Sequence, residues 1–370
     1  MTSLKDLLNQ SSFDFYFLVV DKFLDIQLPE LKNFVSIYSS STDPKNSGAL
    51  LSKATTLELI SQKQAQTHRT PAIVSFKPSA KIEKICQKHG WAYINNPAHL
   101  NRLLENKLKF SELCQNNNLP VIPSSVDTFN QANFAKFQNI YGPKLVLQTH
   151  FGWAGQSTFW GQTWSEVSDR LPIDSLVKYS PYLPGYTLIN NCCQTRFGLI
   201  QSPPGLQFTG IKPLTENPFT TVGRQWPCLS PLAIQDKIRQ ITSDFSNNIL
   251  QPQNYKGFFG LDFLVSGNQV YLLECNPRLT ASFAFYTDIE TKAQLTPLFY
   301  FHLAEFINVD YSLDSVFENQ RFSNPKIVGS ELVKKNQTGQ TIKKINDYFT
   351  YSSSNYPPSI DSSVLNQLNG

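Results

Sequence analysis

The stretch Lys256–Ser282, KGFFGLDFLVSGNQVYLLECNPRLTAS, constrains this chain more than any other part of it. FFGLDFLV is an apolar run with one acid, Asp262, near its middle. SGN signals a tight turn, and QVYLLE is a second run closing on Glu274. Strand, turn and strand predict an antiparallel hairpin on which Asp262, Glu274 and Asn276 can converge on one face. Two carboxylates and an amide oxygen suit a hard cation such as Mg²⁺ better than zinc. Arg278 follows two residues later and adds a fixed cation. Oxygen ligands beside an arginine point to chemistry on phosphate. The plain alternative is a hairpin whose acids simply face water.

A chain of 370 residues with 41% apolar content can bury a large core and hold two or three domains. The net charge is +4, and the 32 basic and 28 acidic residues are spread along the chain. No basic block stands out, so nucleic acid is not expected as a partner. The 6 cysteines form no CxxC pair and the 5 histidines show no metal-ligand spacing. The N-terminus lacks a charged-then-apolar signal, and no apolar run reaches membrane-spanning length. These features predict a soluble, cytoplasmic protein without zinc and without a membrane partner, and they leave a homo-oligomer open.

FDFYFLVV (13–20), NFVSIYSS (33–40), PAIVSFKPS (71–79) and WAYINN read as strands. Helices are predicted at about Ser52–Thr67 and at AKIEKICQKHG, where Ile82, Ile85 and Cys86 share a stripe and Gly90 stops the helix. This alternation predicts a small parallel α/β domain over residues 1–96. It has no G-x-G-x-x-G and is assigned no dinucleotide. Two helical stretches follow between Pro97 and Ser125. PLAIQDKIRQITSDFSNNIL (231–250) is an amphipathic scaffold helix, with Ile234, Ile238, Ile241 and Phe245 on its buried stripe. DIETKAQLTPLFYFHLAEFIN reads as helix broken near Pro297. PKIVGSELVKK reads as a strand, and SSSNYPPSIDSSVLNQLNG as a loosely held tail.

The hairpin, with its acid, Glu-x-Asn pair and following arginine, resembles the metal-binding hairpin of the ATP-grasp ligases. Other segments are similar to that family in the same order. The lysine that opens a helix after an acidic or amide residue corresponds to Lys107, which the resemblance aims at an ATP phosphate. PKLVLQTHFGWAGQSTFW (143–160) resembles the family's phosphate-covering hairpin, usually a lysine followed by several glycines. Here Gln148 stands in the lysine position and Trp153 and Ala154 replace glycines, leaving Gly152 and Gly155, with Gln156 beside them. A glutamine brings no charge, so a lysine at 148 would be expected to tighten nucleotide binding. DSLVKYSPYLPGYTLINNCC (174–193) resembles the adenine-holding linker. By that register Pro181 accepts from the adenine amino group through its carbonyl and Leu183 donates through its N–H. Ser180 and Thr187 stand where the family often carries glutamates. Read alone, the same segment is a β-hairpin with a Pro-Gly turn.

The resemblance implies an ATP-grasp module over residues 97–310, behind the small α/β domain, and a C-terminal segment over 311–370. In fold class it implies α/β with two α+β lobes clasping ATP. It implies Mg²⁺, with Mn²⁺ as an alternative, on Asp262, Glu274 and Asn276, and Arg278 acting on the transferring group. Arg224, in VGRQW, is a candidate for a phosphate or carboxylate contact; a guanidinium packed on Trp226 is the competing assignment. The implied reaction is activation of a small-molecule carboxylate as an acyl phosphate, followed by attack of an amine. A carboxylase or kinase reaction, or nucleotide binding without turnover, stays open. A carboxylase of that kind would usually need a biotin carrier, and no Met-Lys-Met-like segment occurs in these residues, whose only methionine is Met1.

Overall fold

The computed structural model describes residues 2–39, 46–152, 155, 157–212 and 214–333. Trp153, Ala154, Gln156 and the Ser/Asn/Pro-rich tail lie outside the described residues.

The first part of the chain runs α1 (Leu4–Gln10), β1 (Phe13–Val19), β2 (Phe34–Tyr38), α2 (Ser47–Leu51), α3 (Ala54–Thr67), β3 (Thr70–Ser75), α4 (Ala80–His89) and β4 (Ala92–Ile94). The strands form a parallel sheet in the order β2-β1-β3-β4. Six of the seven β1 positions are buried, which is what a strand covered on both faces requires. α4 ends where Gly90 turns left-handed at φ 68°, a conformation glycine adopts without steric cost.

Two helices follow, α5 (Ala98–Glu105) and α6 (Lys107–Asn116). A second sheet is built from β5 (Ser125–Thr128), β6 (Leu145–Gln148), β7 (Thr158–Gly161) and β8 (Leu176–Pro181), antiparallel in the order β5-β8-β6-β7. α7 (Gln131–Tyr141) covers one face and α8 (Trp164–Val167) follows β7. Leu145, Leu147, Val177 and Tyr179 pack on Phe134 and Phe137 from that face, giving this lobe its own core.

The third sheet has seven strands. They are β9 (Tyr186–Thr195), β10 (Gly198–Gln201), β11 (Gly205–Thr209), β12 (Thr221–Trp226), β13 (Gly257–Ser266), β14 (Gln269–Asn276) and β15 (Gly329–Leu332). The main order is β14-β13-β9-β11-β12-β15, with β10 also on β9. α9 (Leu232–Phe245) packs on this sheet through Ile234, Ile238, Ile241 and Phe245. α10 (Phe283–Lys292), α11 (Leu298–Ile307) and α12 (Ser315–Glu318) complete the described elements.

The segment containing Pro181–Tyr186 is not a hairpin. β8 belongs to the second sheet and β9 to the third, so the short link between them crosses from lobe to lobe. The first sheet is seated on the large lobe by aromatic contacts. Phe17 meets Phe283 edge-on at 5.7 Å and Phe34 meets Phe299 at 5.9 Å, each pair worth ~0.5–1.5 kcal/mol beyond its burial. The C-terminal strand β15 pairs with β12 and so extends the large-lobe sheet. Among the described residues no helix is long and apolar enough to cross a membrane.

Candidate active site

β13 and β14 pair in antiparallel register, with Asp262 directly opposite Glu274 and Gly260 opposite Asn276. A bulge between Asp262 and Phe263 shifts the register just beyond the acids. Asp262 is not a surface acid, because its residue is only 8% exposed. Gln207 on β11 donates to its Oδ1 at 2.7 Å, and the Asn276 amide donates to its Oδ2 at 2.7 Å. Burial pushes the Asp262 carboxyl above the usual carboxylate range, opposed by Gln207 and by the Arg224, Lys107 and Arg278 charges. Glu274 is more open and forms an ion pair with Lys107.

Among the described residues no group of three or more His, Cys, Asp or Glu side chains is placed to hold a metal. The hairpin offers two carboxylates and one amide. That donor set suits Mg²⁺, which commonly takes one or two carboxylates and completes its shell with water and substrate phosphate oxygens. Asn276 enters such a shell only by giving up part of its present network. Its Oδ1 accepts from Arg278 at 2.9 Å while its amide nitrogen faces Asp262.

Lys107 opens α6. Asn106 caps that helix, its side chain accepting from the N–H groups of Leu108 and Lys109. The Lys107 N–H donates to the His150 carbonyl at 2.9 Å, tying the helix start to the glycine-bearing loop. Burial lowers the Lys107 pKa to about 8, against the raising influence of Asp262 and Glu105. Arg278 is held from several sides. Its Nε donates to Glu105 at 2.7 Å, its terminal nitrogens to the Leu279 carbonyl and to Asn276, and its guanidinium lies 4.8 Å from the Phe76 ring centre. Glu105 also pairs with Lys77. Burial alone would raise the Glu105 carboxyl, but Arg278 and Lys77 outweigh it and hold it below the usual range. A guanidinium carries more N–H donors than these contacts use, so Arg278 keeps capacity for a ligand.

Arg224 on β12 donates to Glu331 on β15 at 2.9 Å. Its buried Nε has no hydrogen-bond partner among the described residues. Trp226 packs instead against Tyr286, 5.1 Å between ring centres, and donates to the Pro203 carbonyl.

In the small lobe, a Cβ at Gly152 would lie 2.2 Å from Ser157. One at Gly155 would strike the Phe219 backbone at 2.7 Å, and Gly155 also has φ 76°. Both positions therefore require glycine. Gln148 donates to Thr158 at 3.2 Å. The Ser180 hydroxyl faces the Val146 carbonyl at 3.4 Å and Thr187 shares a hydrogen bond with Thr209 at 3.1 Å.

These residues line two adjoining cavities. The first, about 460 Å³, lies between the lobes and is bordered by Lys107, Gln148, Gly152, Gly155 and by Ser180, Pro181, Leu183 and Thr187 of the crossing segment. The second, about 410 Å³, is bordered by Arg224, Asn276 and Arg278, which do not reach the first. Asp262 and Glu274 border both and form the wall between them. Asp21, Phe76 and Lys77, just beyond the carboxyl ends of β1 and β3, close the second cavity. β2 and β3 flank β1 on opposite sides, so the strand order reverses there, and such a crevice is where open parallel sheets take ligands.

Five residues of this arrangement were missed by the sequence reading. Lys178 and Ser111 border the first cavity, Glu105 and Lys77 the second, and Gln207 both. Only Lys178 left a local trace, alternating with Ser180 along VKYS.

An ATP-grasp domain family matches residues 212–282, from the loop before β12 through the hairpin and Arg278. No match to the chain was found among curated protein sequences. Solved structures share the fold at low identity. Carboxyaminoimidazole ribonucleotide synthase from Aspergillus clavatus, complexed with ATP, is 14% identical with a TM-score of 0.57, covering 82% of this chain and 79% of that one. N5-carboxyaminoimidazole synthetase from Staphylococcus aureus, complexed with ADP, is 14% identical with a TM-score of 0.56, covering 80% and 78%. Biotin carboxylase from Campylobacter jejuni is 16% identical with a TM-score of 0.56, covering 83% and 66%. The chain thus shares the fold of these solved structures, and its segment 212–282, which carries the hairpin, matches the ATP-grasp domain family.

Proposed function

We propose that the protein is an ATP-dependent ligase that activates a carboxylate as an acyl phosphate for attack by an amine. The observation that carries this reading is the shared wall of the two cavities, where Asp262 and Glu274 separate a space bordered by the interlobe segment from one bordered by Arg224 and Arg278. ATP fits the first space, with adenine along Pro181–Leu183 and the phosphates toward Lys107 and the loop of Gly152 and Gly155. Relatives of this fold hold ATP or ADP. Asp262, Glu274 and Asn276 would hold Mg²⁺, which would supply charge neutralisation for the transferring phosphoryl group.

The carboxylate substrate lies in the second space, oriented by Arg278 and by the unpartnered Nε of Arg224. Its oxygen takes the γ-phosphoryl group and ADP leaves. The amine nitrogen then attacks the acyl carbon, and inorganic phosphate departs with the bonding pair. Positioning and charge do this work, and no covalent enzyme intermediate is needed. Cys275, the thiol nearest the wall, is buried and its pKa is pushed well up by desolvation, so it supplies no thiolate. Closure of the lobes keeps water from the acyl phosphate.

The test is phosphate release by the full chain with Mg-ATP across carboxylate–amine pairs, bicarbonate included. A cognate pair should raise release above ATP alone, and hydroxylamine should trap the activated acid as a hydroxamate. Release without a trappable acyl group would point to a kinase. Nucleotide binding with no release for any pair would replace the ligase reading by a binding protein.

A further inference from the structure

β6 and β8 pair so that Gln148 and Lys178 stand directly opposite each other. Opposed residues share a sheet face, with Cβ atoms roughly 4.5–5.5 Å apart. On this face Val146, Gln148, Lys178 and Ser180 border the first cavity, whereas Leu147 and Tyr179 point into the small-lobe core. Lys178 is only 7% exposed, and its ammonium donates to the Ser111 hydroxyl at 3.2 Å. Among the described residues no carboxylate pairs with it. The titratable groups that face it are the Lys107 ammonium and the Cys114 thiol of α6. Burial first, and Lys107 second, bring its pKa down to about 7. Lysines are almost never buried unless paired, and this one borders a cavity instead of a counter-ion. The feature is what a site built for an anionic ligand looks like before the ligand arrives.

We propose that Lys178 supplies the phosphate-directed charge that Gln148 lacks, so that the polyphosphate chain of a nucleoside triphosphate is held by Lys107 and Lys178 from two elements. This assignment rests on the ATP reading of the first cavity. It moves the charge one strand sideways, to the cross-strand partner of the position where the resemblance looks for it. It also reverses the expectation for Gln148→Lys. Alone, that substitution sets two ammonium groups opposite each other and does not tighten binding, because directly opposed like charges repel.

Calorimetric titration with a non-hydrolysable Mg-ATP analogue separates the cases. Lys178→Met should bind at least about 10-fold more weakly than the unsubstituted protein, as loss of a charge-assisted hydrogen bond predicts. The transposed protein, Gln148→Lys with Lys178→Gln, should recover to within about 3-fold of the original, since the charge returns on the same face. Lys178→Met should also raise the ligand-free thermal midpoint, because it removes a buried charge without a partner. Unchanged affinity in Lys178→Met, or no recovery in the transposed protein, would overturn the proposal. A lowered ligand-free midpoint would make Lys178 a structural residue and overturn it as well. Should the unsubstituted chain fail to bind the analogue, the ATP reading falls, and the same proteins are titrated with inorganic tripolyphosphate. Binding that depends on Lys178 then sustains the anion site, and binding that is absent or indifferent to Lys178 refutes it.

Discussion

The two cavities handle positive charge in opposite ways. Around the second cavity, proposed for the acceptor, Arg278 and Lys77 are tied to Glu105 and Arg224 to Glu331. Around the first cavity, proposed for the nucleotide, Lys178 has only a hydroxyl partner among the described residues, and Lys107 leans on Glu274 of the dividing wall. A paired guanidinium is fixed in direction and loses little on meeting a substrate, which suits a group that must act at one point in space. An ammonium kept without a counter-ion destabilises the empty site but holds its full attraction for an incoming polyanion. The difference separates cations that orient from cations that neutralise.

The largest effect is expected at the wall itself. Glu274→Gln should cut Mg²⁺-dependent turnover by at least about 100-fold, since even outer-shell changes at metal sites cost 10–100-fold. Stability should fall only modestly, because the Glu274 side chain is a third exposed and Asp262 and Glu105 still favour the charged Lys107 when that ion pair is lost. Asp262→Ala should differ in kind. It removes the acceptor for Gln207 and Asn276 in a buried setting and should cost ~1–3 kcal/mol of stability in addition to activity. Turnover against Mg²⁺ concentration, with a denaturant midpoint for each variant, checks both. Wild-type turnover in Glu274→Gln at saturating Mg-ATP would remove the hairpin from the reaction.

A smaller effect should sharpen the acceptor side. Arg278→Lys keeps the charge but loses the planar fork that now reaches Glu105, Leu279 and Asn276 together. Turnover should fall by ~2–4 kcal/mol in transition-state stabilisation, with nucleotide affinity little changed. Parallel losses in both would place Arg278 among the neutralising cations and break the comparison on that side.

What the sequence showed and what it hid follow one rule. The hairpin was legible because Asp262, Glu274, Asn276 and Arg278 sit within one local strand–turn–strand unit, whose pairing the alternation and turn residues dictate. The start of α6 was legible through the resemblance, which looks for a lysine after an acidic or amide residue; in the structure Asn106 caps the helix and Lys107 opens it. The crossing segment kept two readings, since a Pro-Gly link between strands looks the same whether the strands pair or part. The anchors of the acceptor side were hidden by distance along the chain. Glu105 and Arg278 are 173 residues apart, and Arg224 and Glu331 are 107 apart. Gln148 could be seen to lack a charge, but the strand register that sets Lys178 against it is non-local, so the lysine proposed to compensate could not be matched to it.

The subtlest expectation concerns pH. Lys178 in the ligand-free protein has a pKa lowered to about 7 by burial and by Lys107, against an ordinary 10.5 when unfolded. Between those values the unfolded chain holds a proton at this site that the folded chain has lost. Stability therefore rises with pH across the window, by linkage. Below about pH 7 the lysine is charged in both states and the full cost of burying it is present; above about 10.5 that cost is gone. Lys107, lowered to about 8, adds to the rise, while the raised pKa values of buried cysteines such as Cys114 and of tyrosines such as Tyr179 oppose it at alkaline pH. The comparison that isolates Lys178 is the difference in unfolding free energy between the original chain and Lys178→Met. The variant's advantage should be greatest near neutrality and should shrink toward pH 10. A saturating nucleotide analogue should reverse its sign, because the phosphate then becomes the counter-ion the ammonium lacked. A pH-independent difference would mean that Lys178 is solvated in the ligand-free protein, and the contrast between the two cavities would then be one of geometry alone.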